Sequence, residues 1–307
     1  MGRPKILVIT GPTASGKSAL ALEIARHFGG EIISADSMQV YKYMDIGTGK
    51  PSLDERKLVR HHLIDVLYPD EVFSAALFRE EARGVIAELM KRGRRAVVVG
   101  GTGLYIKGLT SGLIKGGEVD NAIRQRLQSE AKKEGRQRLY QRLKKVDSIT
   151  ASQLHSHDTY RIIRALEVYE RTGSPISVLR QKHLFQEEPY RVLKIGLILQ
   201  RGQLYSRIDR RVDEMMERGL KEEVHRLLEM GYSPSLKSMQ ALGYKQMVKH
   251  LLGVCDLSKA IRNIKRDTRR YAKRQITWFK ANSQIHWAEY PRDKDAILRL
   301  IEGFWQN

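Results

Sequence analysis

Apolar residues, mostly Ile, Val, Leu and Ala, gather in four short runs at residues 6–10, 31–35, 96–99 and 193–199. Runs of this length and make-up predict strands buried in the core of a sheet. The first three alternate with stretches of helical period, which is the signature of a parallel α/β sheet with right-handed crossovers. Between residues 112 and 189 the period changes and only helix signals remain. Asp120 precedes an Ile123, Leu127, Ala131 stripe that stops at Gly135. Asp158 opens residues 160–171, where Ile162, Ile163, Leu166 and Tyr169 share a face, and Gly173 ends them. Ser174-Pro175 then starts another helix in the cap and first-turn arrangement. The run at 193–199 resumes the α/β pattern. Expected is therefore an α/β core begun by residues 1–114, an all-helical insertion at 115–190, and core completion with C-terminal helices at 191–307.

That last region is amphipathic. Ile208, Val212, Met215, Leu220, Val224 and Leu227 recur on a helical period. Residues 258–281 place Ile261, Ile264, Tyr271 and Phe279 on one side, with Arg262, Arg266, Arg269, Arg270, Lys273 and Arg274 largely on the other. Asp267 is the one acid among those six cations, so pairs within the helix cannot balance them. Contact with phosphate backbone is the expected use of Arg270, Lys273 and Arg274.

Charge widens this picture. The chain of 307 residues carries a formal net charge of +20. Residues 1–114 hold 16 Lys/Arg against 12 Asp/Glu, residues 115–191 hold 16 against 10, and residues 201–290 hold 19 against 10. The excess grows away from the N-terminal segment, which points to a polyanion, and nucleic acid above all, as partner. No apolar run is long enough to cross a bilayer, and the N-terminus enters its first strand directly, so neither membrane span nor signal peptide is expected. A lone Cys255 excludes an internal disulfide and a Cys-rich zinc site. A cytoplasmic monomer is expected.

Candidate chemistry begins at Gly11-Pro12-Thr13-Ala14-Ser15-Gly16-Lys17-Ser18. The stretch matches the phosphate-cradling P-loop, and it lies between a predicted strand and a predicted helix, as that motif requires. Lys17 is placed to reach terminal phosphates and Ser18 to ligate Mg²⁺. A hydrolytic NTPase would carry an acid at the end of a second core strand; here Val97-Val98-Val99 runs into Gly100-Gly101-Thr102-Gly103. A small-group transferase on the same scaffold gains weight. Asp36 ends the second predicted strand at the same sheet edge, where a carboxylate serves either as general base or as a cap or turn residue. Thr102 occupies the matching edge of the next strand. The pairs His61/His62 and His155/His157 lack metal-ligand spacing and are read as structural or surface residues.

Several blocks together resemble the bacterial tRNA dimethylallyltransferases, also called tRNA isopentenyltransferases. They are residues 11–18, Ser34-Ala35-Asp36-Ser37-Met38-Gln39-Val40-Tyr41, Met44-Asp45-Ile46-Gly47-Thr48-Gly49-Lys50-Pro51, residues 61–65 and Gly100-Gly101-Thr102-Gly103-Leu104-Tyr105. Further on come residues 161–168, Arg207-Ile208 with Arg211-Val212, Gly243-Tyr244-Lys245-Gln246, and residues 270–279. The resemblance covers nearly the whole chain in order. It implies a P-loop NTPase-like core with a parallel sheet flanked by helices, plus the helical insert as a tRNA-binding domain. The implied activity moves a dimethylallyl group from dimethylallyl diphosphate to N6 of the adenosine 3′-adjacent to the anticodon. By resemblance the P-loop with Lys17, Ser18 and Arg211 holds diphosphate and Mg²⁺, Asp36 is the base, Thr102 positions the adenine, and Arg207 neutralises the leaving group. Contacts to the tRNA anticodon stem-loop are implied for Asp36, Ser37, Met38, Gln39, Thr102, Arg161, Arg164 and residues 238–245, which include Gly243, Tyr244 and Lys245; Arg124 is carried over on a looser match. Two other readings stay open from the residues alone: a P-loop kinase of a small acceptor, and a non-catalytic RNA-binding protein that senses nucleotide.

Overall fold

A computed structural model describes residues 3–114, 120–183 and 187–306. The chain begins with β1 (Lys5–Thr10), α1 (Lys17–His27), β2 (Gly30–Ser34), α2 (Leu53–Leu58), β3 (His61–His62), α3 (Ala75–Lys91), β4 (Arg95–Val99) and α4 (Gly103–Ser111). Next come α5 (Asn121–Lys133), α6 (Arg136–Val146), α7 (Ser148–Ser152), α8 (Thr159–Thr172) and α9 (Ile176–His183). It closes with β5 (Arg191–Leu197), α10 (Arg201–Glu217), α11 (Leu220–Glu229), α12 (Tyr244–Leu251), α13 (Leu257–Lys280), β6 (Ile285–Ala288) and α14 (Lys294–Gln306). The chain divides into two compact units, Met1–Thr110 with Pro189–Asn307, and Ser111–Glu188. The expected division at residue 115 falls in 115–119, outside the described residues.

In the first unit six parallel strands lie in the order β3-β2-β4-β1-β5-β6. Both faces are covered, which is why the strands read as apolar runs instead of alternating ones. Ile6 and Val8 of β1 join Ile33, Ala96 and Val98 beneath α3, whose Phe78, Ala82, Ile86 and Leu89 are buried. Leu7 and Ile9 face the other way, with Val97, Ile195 and Leu197, against α1 and against Ile297 and Ile301 of α14. Chain order reverses around β1: β2 and β3 lie to one side, β5 and β6 to the other, and β4 fits between β1 and β2. The ends of β1, β2 and β4 therefore share one edge, the place where ligands settle in sheets of this kind.

Two strands, β3 and β6, stand beyond the four expected. β3 is too short to leave a periodic signal, and β6 reads Ile-His-Trp-Ala at the sheet's border, where only Ile285 is buried. The second and fourth expected strands begin earlier, at Gly30 and Arg191. His62 is nearly buried and bonds Glu31 at 2.7 Å, whereas His155 and His157 stack on one another in the open.

The second unit is helical among its described residues, around Leu127, Leu139, Leu143, Ile162 and Leu166. Glu167 is fully buried in it and ion-paired with Arg124 at 2.8 Å and Arg164 at 3.1 Å, and it also accepts the Asp120 N–H at 2.8 Å. Burial alone would raise the Glu167 carboxyl, but these partners bring it below the usual carboxylate value. Removing one partner from a buried ion pair costs about 3–5 kcal/mol, so these arginines are part of the insert's architecture.

Candidate active site

The P-loop sits between the end of β1 and the first turn of α1. Gly11 takes φ +137°, and a Cβ there would lie 2.4 Å from the Leu197 carbonyl oxygen, so only glycine lets the chain leave β1 this close to β5. Backbone N–H groups of residues 14–18 have no acceptor among the described residues. The Ser15 hydroxyl is buried and equally without a partner. A run of unsatisfied donors at a helix N-terminus is a cradle for an anion.

A cavity of about 470 Å³ opens along this edge. Thr13, Lys17 and Ser18 of the P-loop line it, with Asp36, Ser37, Met38 and Gln39 after β2 and Gly100 and Gly101 after β4. From the C-terminal helices come Arg211, Val212 and Met215 of α10, Lys237 and residues 240–245 before and into α12, and Ile264, Thr268, Tyr271, Arg274 and Gln275 of α13. Its cationic end is crowded. The Lys17 amine donates to the Pro12 carbonyl at 2.6 Å. Loss of water pushes its pKa down to about 7, helped by the Arg211 charge and opposed by Asp36. Desolvation lowers Arg211 too, and Arg211 makes no ion pair among the described residues. Two cations held close, with Asp36 acting on both but in ion-pair contact with neither, mark a place for an incoming anion.

Asp36 serves as a turn residue and keeps one oxygen open. Oδ1 accepts the Met38 N–H at 2.8 Å and the Gln39 N–H at 3.4 Å, which makes Asp36 a turn residue. Oδ2 has no donor among the described residues, which leaves it available to take a proton. The Asp36 charge also reaches Tyr271, whose hydroxyl is pushed up first by burial and then by that carboxylate. Thr102 Oγ1 accepts the Ser37 N–H at 3.2 Å, so it supports the turn carrying Asp36 and does not itself line the cavity.

Other expected site residues separate into different surroundings. Arg207 is exposed on α10, and it is Arg211, one turn later, that lines the cavity. The Tyr244 side chain is fully buried and its hydroxyl donates to Glu223 at 2.6 Å, while Tyr244 lines the cavity together with Gly243 and Lys245. Gln39 is likewise engaged, with Ser34 Oγ at 2.8 Å and, as donor, the Gly49 carbonyl at 3.1 Å. In the insert, Arg124 and Arg164 are held by Glu167, while Arg161 is exposed beside Asp158 at 3.3 Å. On α13, Arg269 pairs with Asp209 and Lys265 with Asp213 across to α10. Of the six cations expected to lack balance, Arg269 thus gains an acid from α10, and Arg266 pairs with Asp267 at 3.0 Å on the helix itself. Arg262, Lys273 and Arg274 keep no carboxylate partner among the described residues, and Arg270 is 3.8 Å from Asp267.

Sequence reasoning missed Glu223 and Gln275. The Glu223 carboxylate is buried and accepts the N–H groups of Asp45, Ile46 and Gly47 at 2.7–3.1 Å, pinning a segment whose Gly47, Thr48 and Gly49 line the cavity. An acid beside the Leu220, Val224, Leu227 stripe was the available signal. Gln275 is also buried; its amide joins the P-loop to Gly101.

The donors present suit a metal only in one form. Among the described residues no group of three or more His, Cys, Asp or Glu could hold an ion. Ser18 on the first turn of α1, facing the cavity, fits a hard cation carried largely by phosphate oxygens and water. Among the described residues, no helix is long and apolar enough to cross a membrane.

Comparison with known proteins agrees with this arrangement. The family model described as IPP transferase matches residues 39–282. The chain is 50% identical over 303 residues to a tRNA dimethylallyltransferase of Geobacter metallireducens, covering 99% of this chain and 98% of that one. It is 52% identical to a tRNA dimethylallyltransferase of Syntrophus aciditrophicus, over 98% and 97% of the two chains. Among solved structures, a tRNA isopentenylpyrophosphate transferase from Bacillus halodurans superposes with a TM-score of 0.74 at 39% identity, over 99% of this chain and 97% of that one. A eukaryotic dimethylallyltransferase acting on tRNA gives a TM-score of 0.81 at 30% identity, over 97% of this chain and 78% of that one. On its fold, its site and these likenesses, the chain belongs to the IPP transferase family.

Proposed function

We infer that the protein transfers a dimethylallyl group from dimethylallyl diphosphate to N6 of the adenosine 3′-adjacent to the anticodon of tRNA, releasing diphosphate. One observation carries the reading: a single cavity holds an anion cradle with Lys17 and Arg211, a carboxylate with a free oxygen at Asp36, and an apolar wall of Val212, Met215, Leu242 and Ile264. A prenyl diphosphate needs the first and third, and an exocyclic amine acceptor needs the second.

In this reaction N6 forms a bond to C1 of the prenyl group as the C1–O bond to diphosphate breaks, the electron pair leaving on the diphosphate oxygen. N6 is a poor nucleophile because its lone pair is delocalised into the adenine ring. Asp36 Oδ2 takes its proton as the bond forms, while the Met38 and Gln39 N–H groups hold Oδ1 and fix the carboxylate's orientation. The N–H groups of residues 14–18, Lys17 and Arg211 stabilise the charge that grows on the leaving group. A divalent cation, magnesium in our reading, would be held by the Ser18 hydroxyl with diphosphate oxygens and would add positive charge there. Target bases are reached by drawing them from a single-stranded loop. Exposed Arg161 in the insert and Arg270, Lys273 and Arg274 on α13 are our choices for tRNA phosphate contacts. The working form is taken to be a cytoplasmic monomer.

The test is label transfer. With Mg²⁺ and without ATP, label in the prenyl group of dimethylallyl diphosphate should enter unmodified tRNA. Transfer only from γ-labelled ATP would establish a kinase instead. In the same assay Asp36→Asn should lower turnover by about 10²–10⁴-fold while an anticodon stem-loop still binds. Equal losses of binding and turnover would reduce Asp36 to its turn role.

A further inference from the structure

A glutamine at a buried helix position is costly unless both ends of its amide are bonded. Gln275 lies between buried Ala272 and Phe279 on α13, and both of its ends are used. Oε1 accepts the Thr13 N–H at 2.9 Å, and Nε2 donates to the Gly101 carbonyl at 3.0 Å. The three groups come from distant parts of the chain: the loop after β1, the loop after β4, and the second turn from the end of α13. Both loops line the cavity. The Thr13 bond falls next to Ala14, a non-glycine residue held at φ +62°, and just before the N–H groups of residues 14–18 that lack acceptors. The fit at the other end is equally close, since a Cβ on Gly101 would lie 2.1 Å from Gln275 Nε2.

We propose that Gln275 is a positioning residue for the diphosphate cradle: its amide fixes the first turn of the P-loop against the Gly101 loop, so that the free N–H groups converge on one anion. Gln275 turns the Thr13 N–H away from the ligand and holds Ala14 in its left-handed conformation. The donors that follow are then aimed together. This assignment rests on the reading of the P-loop as an anion cradle.

The test uses the full chain with inorganic diphosphate and Mg²⁺ as the probe, followed by calorimetry. Gln275→Met keeps the side chain's length but deprives Thr13 of its acceptor and Gly101 of its donor; diphosphate should bind about tenfold more weakly. The apparent KM for dimethylallyl diphosphate should rise by a similar factor, with anticodon stem-loop affinity within about twofold of the parent. Gly101→Ala displaces the amide from the other side and should reproduce the loss. Gln275→Glu retains an acceptor for Thr13 but puts a negative charge beside the cradle, and it should bind diphosphate more weakly than Gln275→Met. Phe279→Leu, a core change on the same helix, serves as the control for lowered thermal stability and should leave diphosphate affinity unchanged. The assignment is overturned if Gln275→Met and Gly101→Ala bind diphosphate as the parent does, or if Phe279→Leu weakens it equally at a matched Tm. A parent that binds diphosphate but fails to prenylate tRNA would refute the proposed reaction and leave the positioning role standing.

Discussion

Arg211 of the cavity and the Arg124/Arg164 pair of the insert are the same residue type, and the sequence placed all three with anionic ligands. The structure gives them opposite surroundings. Arg124 and Arg164 close on Glu167, a carboxylate with no exposure, so the fold itself supplies their counter-ion. Arg211 has no carboxylate ion pair among the described residues and stands near Lys17, whose amine it helps to push down to about 7. Balanced cations hold a domain together. A pair without an ion pair of its own is poised for a ligand, because an arriving anion relieves the repulsion between them that Asp36 only partly offsets.

Neutralising each arginine separates the two cases. Arg211→Gln should lower kcat/KM for dimethylallyl diphosphate by about 10²–10³-fold, the range for losing one preorganised donor to a developing anion. Its Tm should hold or rise, since the substitution removes a like charge from Lys17. A fall in Tm with unchanged turnover would place Arg211 with the structural arginines. Next in size, Arg124→Gln should cost about 3 kcal/mol of stability in denaturant unfolding, the lower end for breaking a buried pair, because Arg164 stays on Glu167. Turnover per folded molecule should shift by only a few-fold. A large loss of RNA affinity without destabilisation would show that Glu167 does not occupy Arg124 in solution.

What could be read in advance follows from how locally each feature is encoded. The P-loop is eight consecutive residues between a strand and a helix, so its position at the sheet edge needed no partner to be known. Asp36 and Thr102 could be placed at that edge because each follows a core strand directly. Arg207 and Arg211 were given separate parts by resemblance, but four residues on a helix are one turn, and only packing decides which of them faces inward. The fate of Arg124 was hidden for another reason: Glu167 lies 43 residues away, and no local pattern joins them. Gln275 and Thr13 are 262 residues apart, and a glutamine inside a basic helix reads as one more polar position until its two bonds are seen. The engagement of Tyr244 was hidden on the same grounds, for the buried Glu223 that accepts from its hydroxyl belongs to a different helix.

The smallest expected effect bears most directly on the pair of Lys17 and Arg211. With its pKa near 7, Lys17 in the free enzyme is largely protonated below that pH and largely neutral above it. A bound diphosphate favours the ammonium form and so raises the pKa. Below pH 7 binding then moves no proton at Lys17, whereas above pH 7 each binding event takes one up. Affinity for inorganic diphosphate should accordingly fall as pH rises from 7.5 to 8.5, by up to about tenfold, one proton per binding event. Diphosphate gains charge over the same range, so Lys17→Arg is the reference: its guanidinium stays charged, and the ratio of parent to variant affinity isolates the lysine. Calorimetry in buffers of different ionisation enthalpy should show close to one proton absorbed at pH 8.5 by the parent beyond that absorbed by Lys17→Arg. A ratio that stays flat with pH would mean that Lys17 is already cationic in the free enzyme, and the contrast between the poised cavity and the balanced insert would lose its electrostatic basis.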